Sequence, residues 1–195
     1  MTAVPVAISA RPPATVQTWP TSGPLVDTHG RIHRDLRISL TDRCSLRCTY
    51  CMPEQGNEWL ARTSILTLDE IEQIARVAAS VGITTFRLTG GEPLLRTDIV
   101  EIVRRLARIT GPTGKPVELA MTTNGIRLAQ VLPDLVDAGL QRLNISIDTI
   151  NREKFTALTR RDRLDDVLEG IRAAQESGLR PLKLNAVAMG GVNDD

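Results

Sequence analysis

From residue 35 onward, short runs of alternating apolar and polar side chains recur, each followed by a longer stretch of helical period. The runs are DLRISLT (35–41), TTFRLT (84–89), VELAMTT (117–123), RLNISID (142–148) and PLKLNAV (181–187). In the first, Leu36, Ile38 and Leu40 alternate with Arg37, Ser39 and Thr41, the period of a strand covered on one face. Phe86 and Leu88 stand likewise against Arg87 and Thr89, Leu143, Ile145 and Ile147 against Asn144, Ser146 and Asp148, and Leu182 and Leu184 against Lys183 and Asn185. Between the runs the spacing predicts helices. LTLDEIEQIARVAASVG opens with Thr67 and Glu70 at capping-box spacing and closes at Gly82. RTDIVEIVRRLARITG sets Ile99, Ile102, Val103 and Leu106 on one face, while LAQVLPDLVDAG and RLDDVLEGIRAAQESG end at Gly139 and Gly178. Strand and helix in alternation predict right-handed crossovers and a parallel sheet.

The alternation itself carries a message. Parallel strands covered on both faces read as unbroken apolar runs, and the interior of an ordinary eight-stranded barrel is filled by Val, Ile and Leu. Here helices on the apolar face leave a polar face that must look onto water or a ligand. The expectation is an α/β fold: a curved parallel sheet with a polar concave surface, a barrel too open to fill itself. The other arrangement is a flat sheet between helices with polar strand ends.

Composition narrows the setting. The 195 residues, 42% of them hydrophobic, suffice for one sizeable core. A net charge of +1, with acids and bases mixed along the chain, argues against a nucleic-acid polymer as partner. No apolar run reaches membrane-spanning length, and the proline-broken start lacks the plan of a secretory signal, so a cytoplasmic protein without a membrane partner is expected. Residues 1–31, rich in Pro, Ser and Thr, are expected to be a flexible extension, with 32–195 as the domain.

The candidate chemistry lies in TDRCSLRCTYCMPEQG, which holds all three cysteines, Cys44, Cys48 and Cys51. It begins at the C-terminal end of the first predicted strand, where parallel α/β sheets place their chemistry. In a reducing compartment such thiols read as metal ligands or reactive groups rather than disulfide partners. A structural zinc site wants four ligands. Three thiolates can hold three irons of a four-iron, four-sulfur (4Fe–4S) cluster and leave the fourth iron open, a position the amino and carboxylate groups of S-adenosylmethionine could occupy. Zinc with an outside ligand such as His33, or three unlinked thiols, are the other readings.

The C-x3-C-x2-C spacing with Tyr50 before the last cysteine resembles the radical S-adenosylmethionine (SAM) superfamily. The wider stretches FRLTGGEPLLRTDI, MTTNGIRL, AGLQRLNISIDTI, FTALTRRD and PLKLNAVAMGGVNDD are similar to the GTP 3′,8-cyclases that begin molybdenum cofactor biosynthesis, from about residue 32 to the last. The resemblance implies a 4Fe–4S cluster on Cys44, Cys48 and Cys51, SAM met by Tyr50, Gly90, Gly91, Glu92 and Ser146, and GTP contacted by Arg37, Arg87, Thr122 and Lys183. It implies a lyase that uses an external electron donor and a 5′-deoxyadenosyl radical to rearrange GTP into a 3′,8-cyclic nucleotide. All four GTP positions share the inward parity of the strands. Members of that family continue through a sixth strand and helix into a domain with a second three-cysteine cluster, which a chain with three cysteines in all does not carry. The expected architecture is therefore a partial TIM-type (βα) barrel with a radical SAM core, truncated after about the fifth strand, as a fragment, a naturally shortened copy or one half of a split protein, with a homodimer or a complementing C-terminal chain as candidate partners. A radical SAM enzyme acting on another substrate, and a truncated, non-catalytic remnant, are the alternative functions.

Overall fold

The computed structural model describes residues 23–194. Strands β1 (Asp35–Ser39), β2 (Thr85–Thr89), β3 (Glu118–Thr123), β4 (Arg142–Ser146) and β5 (Leu182–Asn185) form one parallel sheet in sequence order. Helices α1 (Leu68–Ser80), α2 (Ile99–Leu106), α3 (Leu128–Asp137), α4 (Arg152–Thr159) and α5 (Leu164–Glu176) lie in the crossovers. This is the expected α/β partial barrel: β1 and β5 are the two edges, and the sheet is open between them.

The apolar parity of the strands makes the core. Ile38, Phe86, Leu88, Leu119, Met121, Leu143 and Ile145 are buried against Ile71, Ala75, Ile102, Val103, Leu106, Leu128, Leu135 and Val167 of the helices. Burying that surface is the main favourable term of the fold, about 25 cal/mol per Å² of apolar area. The local signals hold as well. The Thr67 hydroxyl accepts from Glu70 N–H and the Glu70 carboxylate accepts from Thr67 N–H, a complete capping box on α1. Gly82, Gly139 and Gly178 all have positive φ just beyond their helices.

Two segments depart from the sequence reading. Periodicity gives no helix between β4 and α5, yet α4 is there; only Phe155 and Leu158 are large apolar residues on its buried side, too few for a period. Its start is fixed by Asn151, whose side chain accepts from Lys154 N–H at 3.1 Å. The flexible extension expected over 1–31 lies outside the described residues as far as residue 22. From Gly23 the chain is ordered into a turn, with an antiparallel bridge between Val26 and Ile32, and Asp27 accepting from the N–H groups of His29 and Arg31 at 2.8 and 3.0 Å. Leu25 N–H then donates to the Val81 carbonyl at the end of α1 at 3.3 Å. Among the described residues no helix is long and apolar enough to cross a membrane.

Helices α3 and α5 pack closely because Gly170 lets α5 approach the turn before α3: a Cβ there would lie 2.4 Å from the Gly125 carbonyl oxygen and 3.1 Å from Leu128 Cβ. Gly170→Ala is expected to cost about 1–3 kcal/mol of stability through overpacking, read as a lower urea midpoint at unchanged slope; an unchanged midpoint would mean that the two helices separate freely.

Candidate functional site

The cysteine loop, residues 41–56, leaves the carboxyl end of β1 and is held on two sides. On one side β1 continues past its ladder: Leu40 N–H donates to Thr89 O at 2.9 Å, Gly91 N–H to Thr41 O at 2.6 Å and Glu92 N–H to Arg43 O at 2.7 Å. This approach is so close that a Cβ on Gly90 would sit 2.5 Å from Thr41 O, and one on Gly91 would sit 2.2 Å from Arg43 O. Gly90 also has φ +148°, a backbone conformation side chains disfavour. On the other side the loop docks on the end of α4. Arg47 N–H and Thr49 N–H donate to the carbonyls of Thr159 and Leu158 at 3.0 and 2.9 Å, and the Arg160 guanidinium donates to the carbonyls of Arg47 and Met52, both at 3.1 Å.

Behind the glycine turn lies a buried acid. Glu92 is 2% exposed, and its carboxylate accepts from the Thr123 hydroxyl and Asn124 N–H, each at 2.7 Å, and from Leu94 N–H at 3.0 Å. Burial pushes its pKa up, while those three donors pull it down. The Asn124 amide turns outward to Ser45 Oγ at 3.0 Å and Cys44 Sγ at 3.8 Å. Cys44 and Cys48 are half-buried and Cys51 is exposed, all three as free thiols. Burial raises the Cys44 thiol and pushes that of Cys48 up to about 11.

Opposite the glycines, Tyr50 spans from the loop to the far strands. Its hydroxyl donates to Asp148 Oδ2 at 2.6 Å, and Asp148 Oδ1 accepts from Val187 N–H at 2.9 Å. Burial, with the Asp148 bond second, raises the phenol pKa. Asn193 completes the rim by donating to the carbonyls of Asp148 and Val187 at 2.8 and 2.9 Å. Below the rim, on the polar face of the sheet, the register sets Arg37 beside Arg87, and Thr122 and Lys183 on either side of Asn144. Arg87 lies 3.6 Å from Asp35, and with its amide turned carbonyl-first Asn144 accepts from Arg87 at 3.3 Å. Among the described residues neither Arg37 nor Lys183 has an ion-pair partner.

The sequence from residue 38 to 195 matches the model of the Radical SAM superfamily. The chain belongs to that superfamily. Within it, the radical SAM chain is 54% identical over 172 residues to a GTP 3′,8-cyclase of Streptomyces coelicolor, covering 88% of this chain and 49% of that one. A GTP 3′,8-cyclase of Corynebacterium glutamicum is 52% identical over 171 residues, covering 87% and 45%. The chain thus spans about half the length of the curated relatives it matches. The fold is also that of Streptococcus suis SuiB bound to S-adenosylmethionine, with a TM-score of 0.63 at 21% identity over 80% of this chain and 34% of that one.

Of the residues of this radical SAM chain singled out in the sequence, the fold brings Cys44, Cys48, Tyr50, Cys51, Gly90 and Gly91 to one end of the sheet, with Ser146 exposed at the end of β4. Arg37, Arg87, Thr122 and Lys183 occupy its polar face. Glu92 stands apart: its side chain faces inward, and both carboxylate oxygens are already engaged. His33 stands apart as well. It precedes β1, about 16 Å of strand from the cysteines, with Nε2 3.7 Å from Asp27, so it is not placed to complete a zinc site. Among the described residues no three His, Cys, Asp or Glu side chains are grouped to hold a metal ion. The donor set nonetheless suits a cluster with one open position: three unbridged thiols on one short loop and no fourth cysteine in the chain. Asn124 and Arg160 were not singled out from sequence. Asn124 had a signal in the Asn-Gly turn after β3, and Arg160 lay within the quoted FTALTRRD stretch, but nothing local marked it as the residue that reaches a loop 108 residues earlier.

Gly91→Ala is expected to unseat the cysteine loop without unfolding the sheet. Amide exchange in residues 41–56 should rise by an order of magnitude or more, the effect of losing about two backbone hydrogen bonds of roughly 1 kcal/mol each, while β3 and β4 stay protected. Unchanged exchange in the loop would show that the glycine turn does not hold it.

Proposed function

We propose that this chain carries the radical-generating half of a GTP 3′,8-cyclase, the first step of molybdenum cofactor biosynthesis. The observation that carries the reading is the sheet register, which sets Arg37, Arg87, Thr122 and Lys183 on one polar face beneath a cysteine loop at the carboxyl end of the strands. The likeness to proteins named GTP 3′,8-cyclase over nearly the whole of this chain supports it.

In this reading Cys44, Cys48 and Cys51 hold a 4Fe–4S cluster through their thiolates, leaving the fourth iron for SAM. The chemistry such a group would supply when bound is a one-electron cleavage of SAM that starts the radical rearrangement of GTP into a 3′,8-cyclic nucleotide. An external donor provides the electron. The chain's own residues orient and shield. Gly90 and Gly91, whose Cβ sides pack on the cysteine loop and whose turn is exposed at Gly91, would offer backbone to the methionine end of SAM, and Ser146, exposed at the end of β4, would be a further contact. Tyr50, exposed and tied to Asp148 through its hydroxyl, would meet SAM from the loop side. Glu92 serves from behind as the brace of the turn. Arg37 and Lys183, cations without an ion-pair partner among the described residues, suit the triphosphate, whose oxygens favour charge-assisted bonds; Arg87 and Thr122 complete the set. Holding the ribose in one pose beside the radical is the contribution of this face to rate.

The test is anaerobic reconstitution with iron and sulfide, followed by SAM, GTP and a strong reductant. Formation of 5′-deoxyadenosine with a cyclised nucleotide is the expected result; deoxyadenosine that forms equally well without GTP, and no cyclised product even with a complementing C-terminal chain, would favour a radical SAM enzyme of another substrate. Lys183→Ala is expected to weaken GTP binding by about 10- to 100-fold, the loss of one hydrogen bond to a charged group, measured by equilibrium dialysis. Unaltered GTP affinity would remove Lys183 from the nucleotide site.

A further inference from the structure

Resting on the cluster reading above, we infer that Asn124 is a positioning residue for Cys44, its side-chain amide donating an N–H···S hydrogen bond that tunes the cluster held there. Three observations meet on this residue. Its Nδ2 lies 3.8 Å from Cys44 Sγ and 3.0 Å from Ser45 Oγ, so both of its amide hydrogens have acceptors in the cysteine loop. Its Oδ1 accepts from Ile126 N–H at 3.2 Å, which fixes the amide orientation: the oxygen is committed to the turn and the nitrogen must face the thiol. Its backbone N–H is gripped by Glu92 at 2.7 Å, and Glu92, 2% exposed, is held in turn by Thr123 and Leu94.

This chain of contacts explains why an acid is buried behind the glycine turn. Glu92 N–H secures the loop at Arg43, one residue before Cys44, while the Glu92 carboxylate secures the residue whose amide meets the sulfur. One residue thereby sets, through its backbone N–H, the position of the ligand and, through its carboxylate, the polarity of its surroundings. Hydrogen bonds to ligand sulfur disperse the negative charge that builds up on reduction, so they raise the reduction potential of an iron–sulfur cluster, and groups behind a ligand set its properties nearly as strongly as the ligand.

The experiment uses the reconstituted chain and reads the cluster itself, not turnover. Asn124→Ala removes the donor without adding charge; it should keep the iron content per chain of the wild type and shift the midpoint potential to a more negative value. In parallel, wild-type chain carrying 15N in its asparagine side chains, reduced and examined by pulsed electron paramagnetic resonance, should show a nitrogen coupling to the cluster that is absent from Asn124→Ala. Should that variant fail to hold a cluster, the coupling in the wild type decides. Ser45→Ala should retain the coupling and the wild-type midpoint; a potential shift in Ser45→Ala equal to that of Asn124→Ala would give the effect to the serine and overturn the inference. An unchanged midpoint in Asn124→Ala, or no nitrogen coupling in the wild type, also overturns it. A wild-type chain that takes up no iron–sulfur cluster defeats the cluster reading, and the inference with it; one that takes up the cluster but shows neither effect defeats the hydrogen bond alone.

Discussion

Two backbone hydrogen bonds, from Gly91 N–H to Thr41 O and from Glu92 N–H to Arg43 O, govern how this molecule presents its thiols. They carry the β1–β2 ladder beyond the sheet and turn a loop, which by itself would sample many conformations, into an extension of a rigid element. Such bonds need the two backbones closer than side chains permit, which is why two successive glycines follow β2. They also need the following residue to be anchored, which the buried Glu92 carboxylate achieves through β3. Thiol placement in this fold is therefore a property of three consecutive strands and not of the cysteine loop alone.

The second determinant is the parity of the strands. Because side chains alternate across a sheet, the same short runs that build the core also build a polar concave surface, and neither can be changed by a one-residue slip without destroying the other. The cations at Arg37 and Lys183 are held in place by the hydrophobic register of Ile38, Leu143 and Ile145 rather than by ion pairs of their own. The cost of leaving cations without ion-pair partners is small where they stay in water, as Arg37 and Lys183 do on the exposed face.

The five strands, the four periodic helices, the capping box and the inward parity of Arg37, Arg87, Thr122 and Lys183 were all legible, because each rests on a local pattern or on alternation that a sheet obeys throughout. Helix α4 was not, since its cap at Asn151 precedes a segment with only Phe155 and Leu158 to mark a buried side. The bracing of the site was also hidden. Asn124 meets Cys44 across 80 residues and Arg160 meets Arg47 across 113, contacts that no window of sequence contains. Glu92 was legible as part of a motif but misleading in role: a glycine-rich turn followed by an acid suggests a carboxylate offered to a ligand, whereas here burial and three donors turn it inward.

Arg160 is the one described residue other than glycine with positive φ, at 54°, and it ends α4 in the left-handed conformation. That conformation costs an ordinary side chain about 1–2 kcal/mol, and the natural answer at a helix end is glycine. Glycine would leave the carbonyls of Arg47 and Met52 without their donor. Both bonds leave one guanidinium nitrogen, Nη1, at the far end of the side chain, so length is what the position requires. The position is therefore pulled by two incompatible demands, backbone ease and long reach, and arginine meets the second at the expense of the first. A mutational drift that relaxed the helix end would loosen the far side of the cysteine loop, so the strain at this one residue is a measure of how much the loop's rigidity is worth to the protein.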